Sequence, residues 1–261
     1  TVMHSQNYNL RASLEPIRDL KIDLTMNRNF TENSSEFYRF NDSLQDFESQ
    51  SRFKTTNVTY STISIRSAFE TLDPKKNYRS PSFDNVRNAR ADVSTFLANG
   101  NPNSVTDSAG YYDGYGPSQQ DVLIGAFLTT FTGKNVDERS ISPVRNIPLP
   151  NWQVSYNGLT KFKVFQKFVQ NFTVRHGYTS TVNVSGMQTN LNAELDSDGH
   201  LIARDINNNF IPEQQVQNIT ISERFSPLIG FDATWKVNGN GLITKFEYSR
   251  ERSASLSLAN N

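Results

Sequence analysis

Between Phe172 and Val184 the apolar side chains Phe172, Val174, Tyr178, Val182 and Val184 fall on even positions, and Thr173, Arg175, Thr179, Thr181 and Asn183 on odd ones. Successive side chains of a β-strand point to opposite faces, so a strand of this kind has one apolar face and one wet face. The pattern recurs along the chain. Leu20, Ile22, Leu24 and Met26 alternate with Lys21, Asp23, Thr25 and Asn27. Ile229, Phe231, Ala233, Trp235 and Val237 alternate with Gly230, Asp232, Thr234 and Lys236, and Leu242, Thr244, Phe246 and Tyr248 with Ile243, Lys245, Glu247 and Ser249. Soluble strands usually run about five or six residues, whereas membrane-crossing strands need about nine to eleven. The long runs predict an all-β membrane fold: an antiparallel transmembrane β-barrel segment of about 8–9 strands with a helical insertion.

Composition fits that reading. A mean hydropathy of −0.58 is too polar for a membrane protein made of helices, but suits a barrel, where only alternate residues meet lipid. The best apolar run, Val122 to Phe131, is far shorter than the roughly 18 residues that a spanning helix needs. Zero formal net charge gives no reason to expect nucleic acid as a partner, and the lack of cysteine excludes disulfides and thiolate metal sites. No signal peptide is visible in the opening Thr1–Gln6, and both ends read as cut, as in a piece of a longer chain.

Three parts are expected: barrel strands over 1–70, a helical insertion over 71–150 acting as a cap, plug or lumen lining, and barrel strands over 151–261. In the first part, Asn9–Ile17 and Leu20–Asn27 read as strands joined by a tight turn at Arg18-Asp19, followed by a polar loop at Asn29–Ser35. Glu36–Asp46 is a weaker strand, and Phe53–Phe69 a stronger one with a bulge near Ser61-Thr62. In the insertion, helices are predicted over Asp84–Asn99, with Asp84 as a cap, and over Ser118–Thr132, ended by Gly133; a Gly/Tyr-rich loop lies between them. The second helix is apolar around most of its circumference and so should be buried against protein. In the last part, Trp152, Val154 and Tyr156 alternate, Lys161–Lys167 is a basic turn region, Leu195–Phe210 a polar loop, and Gln217–Arg224 and Ile229–Val237 separate strands. Asn238–Gly241 reads as a hairpin turn.

A search for chemistry finds no Gly-x-Ser-x-Gly elbow and no His-Glu-x-x-His motif, so no catalytic residues are expected and the chain is read as a non-enzyme. Gly133-Lys134 lacks the Ser or Thr of a phosphate loop and suits a helix end better. His4, His176 and His200 have no partner at metal spacing, and His176 next to Gly177 suits a protein-packed position. Asp196–Gly199 and Asp205–Asn209 carry oxygen donors but miss the EF-hand spacing, so Asx turns are the simpler reading. No metal and no cofactor are expected.

Charge burial then assigns the two faces. A Lys or Arg at the lipid midplane costs about 2–4 kcal/mol, so the charged phase should face water. The predicted lumen-facing set is Lys21, Asp23, Thr25, Arg175, Thr179, Asn183, Asp232, Lys236, Lys245 and Glu247. The predicted lipid-facing set is Leu20, Ile22, Leu24, Phe172, Val174, Val182, Ile229, Phe231, Trp235 and Phe246. Phe30, Phe69, Trp152, Phe172 and Tyr248, near the ends of runs, suit interfacial aromatic girdles. Arg250 and Arg252 continue the apolar phase of Tyr248 and are the misfit of this assignment.

Three stretches carry a family resemblance: Ser118–Leu128 (SQQDVLIGAFL), Ile147–Leu159 (IPLPNWQVSYNGL), and Phe225–Trp235 (FSPLIGFDATW) with the closing Ser255–Asn260 (SLSLAN). Together they resemble the SprA/Sov family, the outer-membrane translocon of the type IX secretion system, and the Pro-Leu-Pro-Asn-Trp block is the most specific part. Family members are much longer, and the resemblance would make this chain a section toward their C-terminal part. It implies a very large barrel in the outer membrane of a Gram-negative bacterium, conducting secreted protein cargo for surface delivery and gliding motility. It also implies a lateral opening, a PorV-like barrel and a periplasmic plug protein as partners, outer-membrane lipid around the wall, and no catalytic residues. Two other readings stay open: a smaller outer-membrane barrel acting as transporter or adhesin, and a soluble β-sandwich binding module. A secreted hydrolase ranks last.

Overall fold

The computed structural model describes residues 1–71, 74–77, 79–237 and 240–258. Six long strands dominate: β1 (Val2–Ile17), β2 (Leu20–Asn41), β3 (Asp46–Ser61), β7 (Val169–Thr189), β9 (Asn218–Val237) and β10 (Asn240–Ser257). They run 16, 22, 16, 21, 20 and 18 residues. At about 3.3 Å per residue, each is roughly 50–70 Å long, well beyond an ordinary globular strand. They lie antiparallel in the order β1-β2-β3-β7-β9-β10, with short β6 (Asn151–Tyr156) and β8 (Gln214–Gln215) completing an eight-stranded sheet. Among the described residues β1 and β10 do not pair with each other, so the sheet is open.

One strand position is composite. The outer part of β2 pairs with β3 from Arg28↔Tyr60 to Asn41↔Asp46, and its inner part with β6 from Leu20↔Tyr156 to Thr25↔Asn151. β7 contacts the same two segments on its other side. β3 and β6 therefore occupy one lane of the sheet, interrupted where the chain departs after Ser61 and returns at Asn151. The break is stitched by the Leu149 N–H donating to the Ser61 carbonyl (2.9 Å) and the Ser61 hydroxyl donating to the Leu149 carbonyl (2.7 Å). Ser61-Thr62 is thus the point where the chain leaves the sheet rather than a bulge. Ile63 and Ile65, expected on a strand running to Phe69, instead enter the insertion.

The departing chain forms α1 (Ile65–Ala68), α2 (Pro81–Asn99), the small hairpin β4 (Asp107–Ser108) and β5 (Tyr111–Tyr112), and α3 (Gln120–Thr132). α2 begins with Pro at its first position after Ser80, where a missing N–H is harmless. Asp84 is not the cap; it lies in the first turn and binds the Arg79 guanidinium (2.7 Å). The Gln119 side chain caps α3 by accepting the Val122 N–H (2.9 Å), and Gly133 ends it at φ 66°, a left-handed conformation that glycine adopts without a Cβ clash. α3 is buried on nearly all sides. Its Ile124, Phe127, Leu128 and Phe131 pack with Val93 of α2 and with Val58, Tyr60, Val182, Val184, Ile219 and Ile221 of the sheet.

Several local expectations change. Asn29–Ser35 is not a loop but the middle of β2, because β1 and β3 hydrogen-bond it on both edges and outweigh its weak strand propensity. Strand pairing likewise extends β1 back to Val2. Gln217–Arg224 and Ile229–Val237 form one strand, β9, with extra residues bulged out at 226–228. The loop at Leu195–Phe210 is docked on the insertion. Arg204 binds both oxygens of Asp113 (2.8 Å each), and the Phe210 N–H donates to Gly114. Between β6 and β7, a turn at Gly158–Lys161 and the short α4 (Lys163–Gln166) replace the basic turn region. Val237 pairs with Asn240; Asn238 and Gly239 of the expected hairpin turn lie outside the described residues.

The bulge is held by close backbone approach. A Cβ on Gly177 would lie 2.8 Å from the Ser226 carbonyl oxygen, and His176 Nδ1 sits 2.7 Å from the Leu228 carbonyl. Gly177→Val is expected to destabilise the β7–β9 pairing by about 1–3 kcal/mol, as overpacking does. Loss of amide-exchange protection at Thr179 and Arg224 would show it; unchanged protection would contradict this packing.

Candidate functional site: a two-faced wall

Cross-strand partners share a face, so the register maps the sheet row by row. One row runs Leu20–Tyr156–Val174–Phe231–Phe246 across five lanes. Another runs Leu14–Ile22–Val154–His176, and a third Ala12–Leu24–Trp152–Tyr178–Phe225. These rows form an apolar belt on one face. Leu10, Leu14, Ile229, Leu242, Phe246 and Tyr248 in it are 49–59% exposed, with no second sheet over them among the described residues.

Aromatic layers bracket the belt. At the lower margin Phe165, Phe172, Phe231 and Phe246 adjoin in succession, with ring centroids 5.8, 5.6 and 5.2 Å apart, the first pair tilted and the other two stacked. At the upper margin Trp152, Tyr178, Phe225 and Phe69 follow one another at 4.5, 4.8 and 5.5 Å. On β7 the two margins fall at Phe172 and Tyr178, six residues apart; counted from Val169, whose partner Trp235 carries the row below Phe172, the apolar rows span ten.

Above the belt the same face is covered. Arg28–Tyr60–Val182–Ile221–Ala254 and Phe30–Val58–Val184–Ile219–Leu256 lie under the insertion. Val182, predicted to face lipid, is 0% exposed. It shares the parity of the belt but is sealed by α3, so that assignment fails there. The other nine predicted lipid-facing residues lie in the belt, on one face.

The row between belt and insertion is polar: Ser180, Glu223 and Arg252. It meets the chain at the point of departure. Ser67 donates to Glu223 (2.9 Å), the Ser64 hydroxyl lies 2.8 Å from that of Ser180, and Arg252 pairs with Glu70 and the Ser67 carbonyl. Arg250 binds the Glu70 carbonyl and lies over the Phe69 ring (5.5 Å). The two arginines that broke the pattern in sequence are therefore the docking points of the insertion. Burial pushes the Glu70 carboxyl up, but the Ser82 N–H, the Ser80 and Ser82 hydroxyls and Arg252 outweigh it and hold it below the usual carboxylate value.

The opposite face carries the charged set. Lys21–Ser155–Arg175–Gly230–Glu247 form one row, and Thr173–Asp232–Lys245 the next. Arg175 bridges Asp232 (2.5 Å) and Glu247 (3.4 Å), Lys245 pairs with Glu247 (3.2 Å), and Lys21 with Asp23 (3.2 Å). Lys236 continues that face and donates to the Gln166 carbonyl. Higher up the face turns to hydroxyls and amides: Thr59–Asn183–Thr220–Ser255 form a row, in which Thr59 donates to Asn183 and Thr220 contacts Ser255. Thr179 pairs with Arg224, and Thr25 lies opposite Asn151. All ten predicted lumen-facing residues thus share the face opposite the belt.

The oxygen-rich loops are Asx turns. Asp196 accepts the N–H groups of Asp198 and His200 and the Asn103 amide, and Asp205 those of Asn207 and Asn209. Among the described residues no group of three His, Cys, Asp or Glu side chains is placed to hold a metal. Sequence reasoning missed the row around Glu223, because its partners come from a segment read as strand.

No protein-family model and no curated protein matches this chain.

Two outcomes follow. Arg252→Met leaves Glu70 without its cation; removing one partner of a buried pair typically costs about 3–5 kcal/mol, and partial exposure places this one near the lower end. The 62–150 segment should become protease-sensitive while the sheet keeps its exchange protection, and equal loss in both would refute a docking role. The His200 N–H and Asn103 amide hold Asp196 down to about 2, below its ordinary 3.8. A depressed carboxyl stabilises above its unfolded value, so loop docking should weaken as pH falls from about 4 to about 2. Protection of the His200 amide tracks this, and Asp196→Asn should abolish the pH dependence.

Proposed function

We propose that this chain is a section of the wall of an outer-membrane β-barrel that conducts proteins, of the type IX translocon kind. The observation that carries the proposal is the belt. Register-aligned apolar rows with aromatic margins lie on one face, capped at Tyr178 and Phe225 by Ala68 and Ile63 and exposed below them at Leu14, Ile229, Phe246 and Leu242, while ion pairs and a hydroxyl-amide ladder occupy the other. A lipid-facing belt beside a water-filled lumen calls for this arrangement. The open edges fit a section of a larger wall better than a small closed barrel. A sandwich module would need a second sheet against the belt. The resemblance of the Ile147–Leu159 block supports the translocon in particular, with PorV-like and plug partners and no enzymatic step. On this reading the work is passive: mixed charge and neutral hydroxyls on the lumen face keep water bound and give cargo no sticky apolar surface.

The reading has a consequence for the insertion. It packs on the face of the belt, so it lies outside the conduit, above the bilayer, and does not line the lumen. Short turns of such barrels face the periplasm and long connections the cell exterior. The Arg18-Asp19 turn lies at the belt end and the long 190–217 connection at the other, so the insertion is an exterior collar.

The chain has no cysteine, so introduced ones report without background from it. In outer membranes carrying the parent protein, Thr179→Cys and Lys245→Cys should react with a water-soluble maleimide, and Ile22→Cys and Val174→Cys only after detergent. A bulky adduct at Thr179→Cys should slow cargo secretion. Equal reactivity of both pairs in the bilayer would end the proposal.

A further inference from the structure

The connection between β6 and β7 is built unlike an ordinary turn. Residues 158–168 read Gly-Leu-Thr-Lys-Phe-Lys-Val-Phe-Gln-Lys-Phe, with three lysines, three phenylalanines and no acidic residue. Phe162, Val164, Phe165 and Phe168 are 56, 70, 36 and 62% exposed. A free turn in water would not keep four large apolar groups outside a core.

The segment is nonetheless fixed in place. The Asn157 N–H donates to the Asp19 carbonyl and Lys161 pairs with the Asp19 carboxylate, which ties it to the β1–β2 turn. The Lys236 N–H donates to the Phe168 carbonyl (2.8 Å) and Lys236 Nζ to the Gln166 carbonyl (2.6 Å), which ties it to β9. Phe165 packs against Phe172 with its ring tilted 43° and so continues the lower aromatic layer of the belt. Phe168, Trp235, Val237 and Leu242 line an open apolar recess of about 480 Å³ beside it. Lys163 and Lys167 form no ion pair among the described residues.

We infer that this segment is a binding surface for anionic phospholipid at the periplasmic edge of the belt, with the aromatic side chains and the recess taking acyl chain and Lys163 and Lys167 taking the headgroup phosphate. The inference rests on the lipid-facing reading of the belt. Two features select this occupant. The apolar groups are continuous with the belt, so the hydrocarbon that covers the belt reaches them as well. The uncompensated charge is wholly positive, and a basic segment carrying aromatic residues binds anionic lipid surfaces by burying its apolar face while its lysines meet the phosphates.

The two tryptophans separate this claim from the one beneath it. Trp152 lies in the upper aromatic layer, and Trp235 lines the recess, its indole N–H donating to Thr244 (2.7 Å). The parent protein, its tryptophans outside this section replaced by phenylalanine, is reconstituted into phosphatidylcholine vesicles containing equal small fractions of acyl-brominated phosphatidylcholine or phosphatidylglycerol, in Trp152→Phe and Trp235→Phe backgrounds that isolate each fluorophore. The expected result is that Trp152 is quenched equally by both lipids and Trp235 several-fold more by the phosphatidylglycerol. In Lys163→Gln/Lys167→Gln that several-fold preference should vanish, since each lysine near an anionic surface is worth up to about fivefold at low salt. Absence of quenching at both tryptophans would overturn the lipid-facing belt itself. Normal quenching of Trp152 with no headgroup preference at Trp235, or a preference that survives the double substitution, would overturn the lipid site and leave the belt standing.

Discussion

The molecule depends on register. Each of the six lanes alternates apolar and polar side chains, but alternation within a lane makes a two-faced wall only if neighbouring lanes pair in phase. A shift of one residue in a single lane would set charged side chains among the apolar ones. The pairing of Leu20, Tyr156, Val174, Phe231 and Phe246 in one row, and of Lys21, Ser155, Arg175 and Glu247 in the next, shows the phase held across the sheet. Bulges do not break it, because the extra residues at 226–228 bring β9 back to the same parity.

That register also decides what the insertion can do. The chain leaves one lane after Ser61, builds a helical unit on the apolar face and returns to the same lane at Asn151, so two halves of one long strand enclose it. The apolar face is thereby divided by what covers it: α3 over the outer rows, Ile63 and Ala68 over Tyr178 and Phe225, and no layer of the described chain over Leu14, Ile229 and Phe246. The boundary is a row of polar side chains, buried yet satisfied by Ser64, Ser67 and Glu70. Buried charge of this kind is tolerated because each group finds a partner, and it gives the insertion one seating rather than a slippery apolar contact.

Much of this was legible in the chain. The strands around Leu20–Asn27, Phe172–Val184 and Leu242–Tyr248, the helices of the insertion, the Gly133 stop and the division of charge between faces follow from local spacing. Less was legible where pairing outweighs local preference. Asn29–Ser35 has loop composition but is held by strands on both sides, and Ile63 and Ile65 have strand composition but leave the sheet. Val182 carries the parity of the belt residues, yet nothing in its neighbours announces the helix that covers it. Arg250 and Arg252 looked like errors of phase because their partner, Glu70, lies far away in sequence.

By itself, the sequence determined a long-stranded antiparallel sheet with one apolar and one charged face, since side-chain alternation is a property of each strand alone. Only the tertiary structure decided that β3 and β6 share a lane, that the insertion sits on the apolar face, and that the rows below Tyr178 stay without a covering layer. Those are outcomes of contacts between segments far apart along the chain, where pairing energy and satisfied buried charge outweigh what any single stretch prefers.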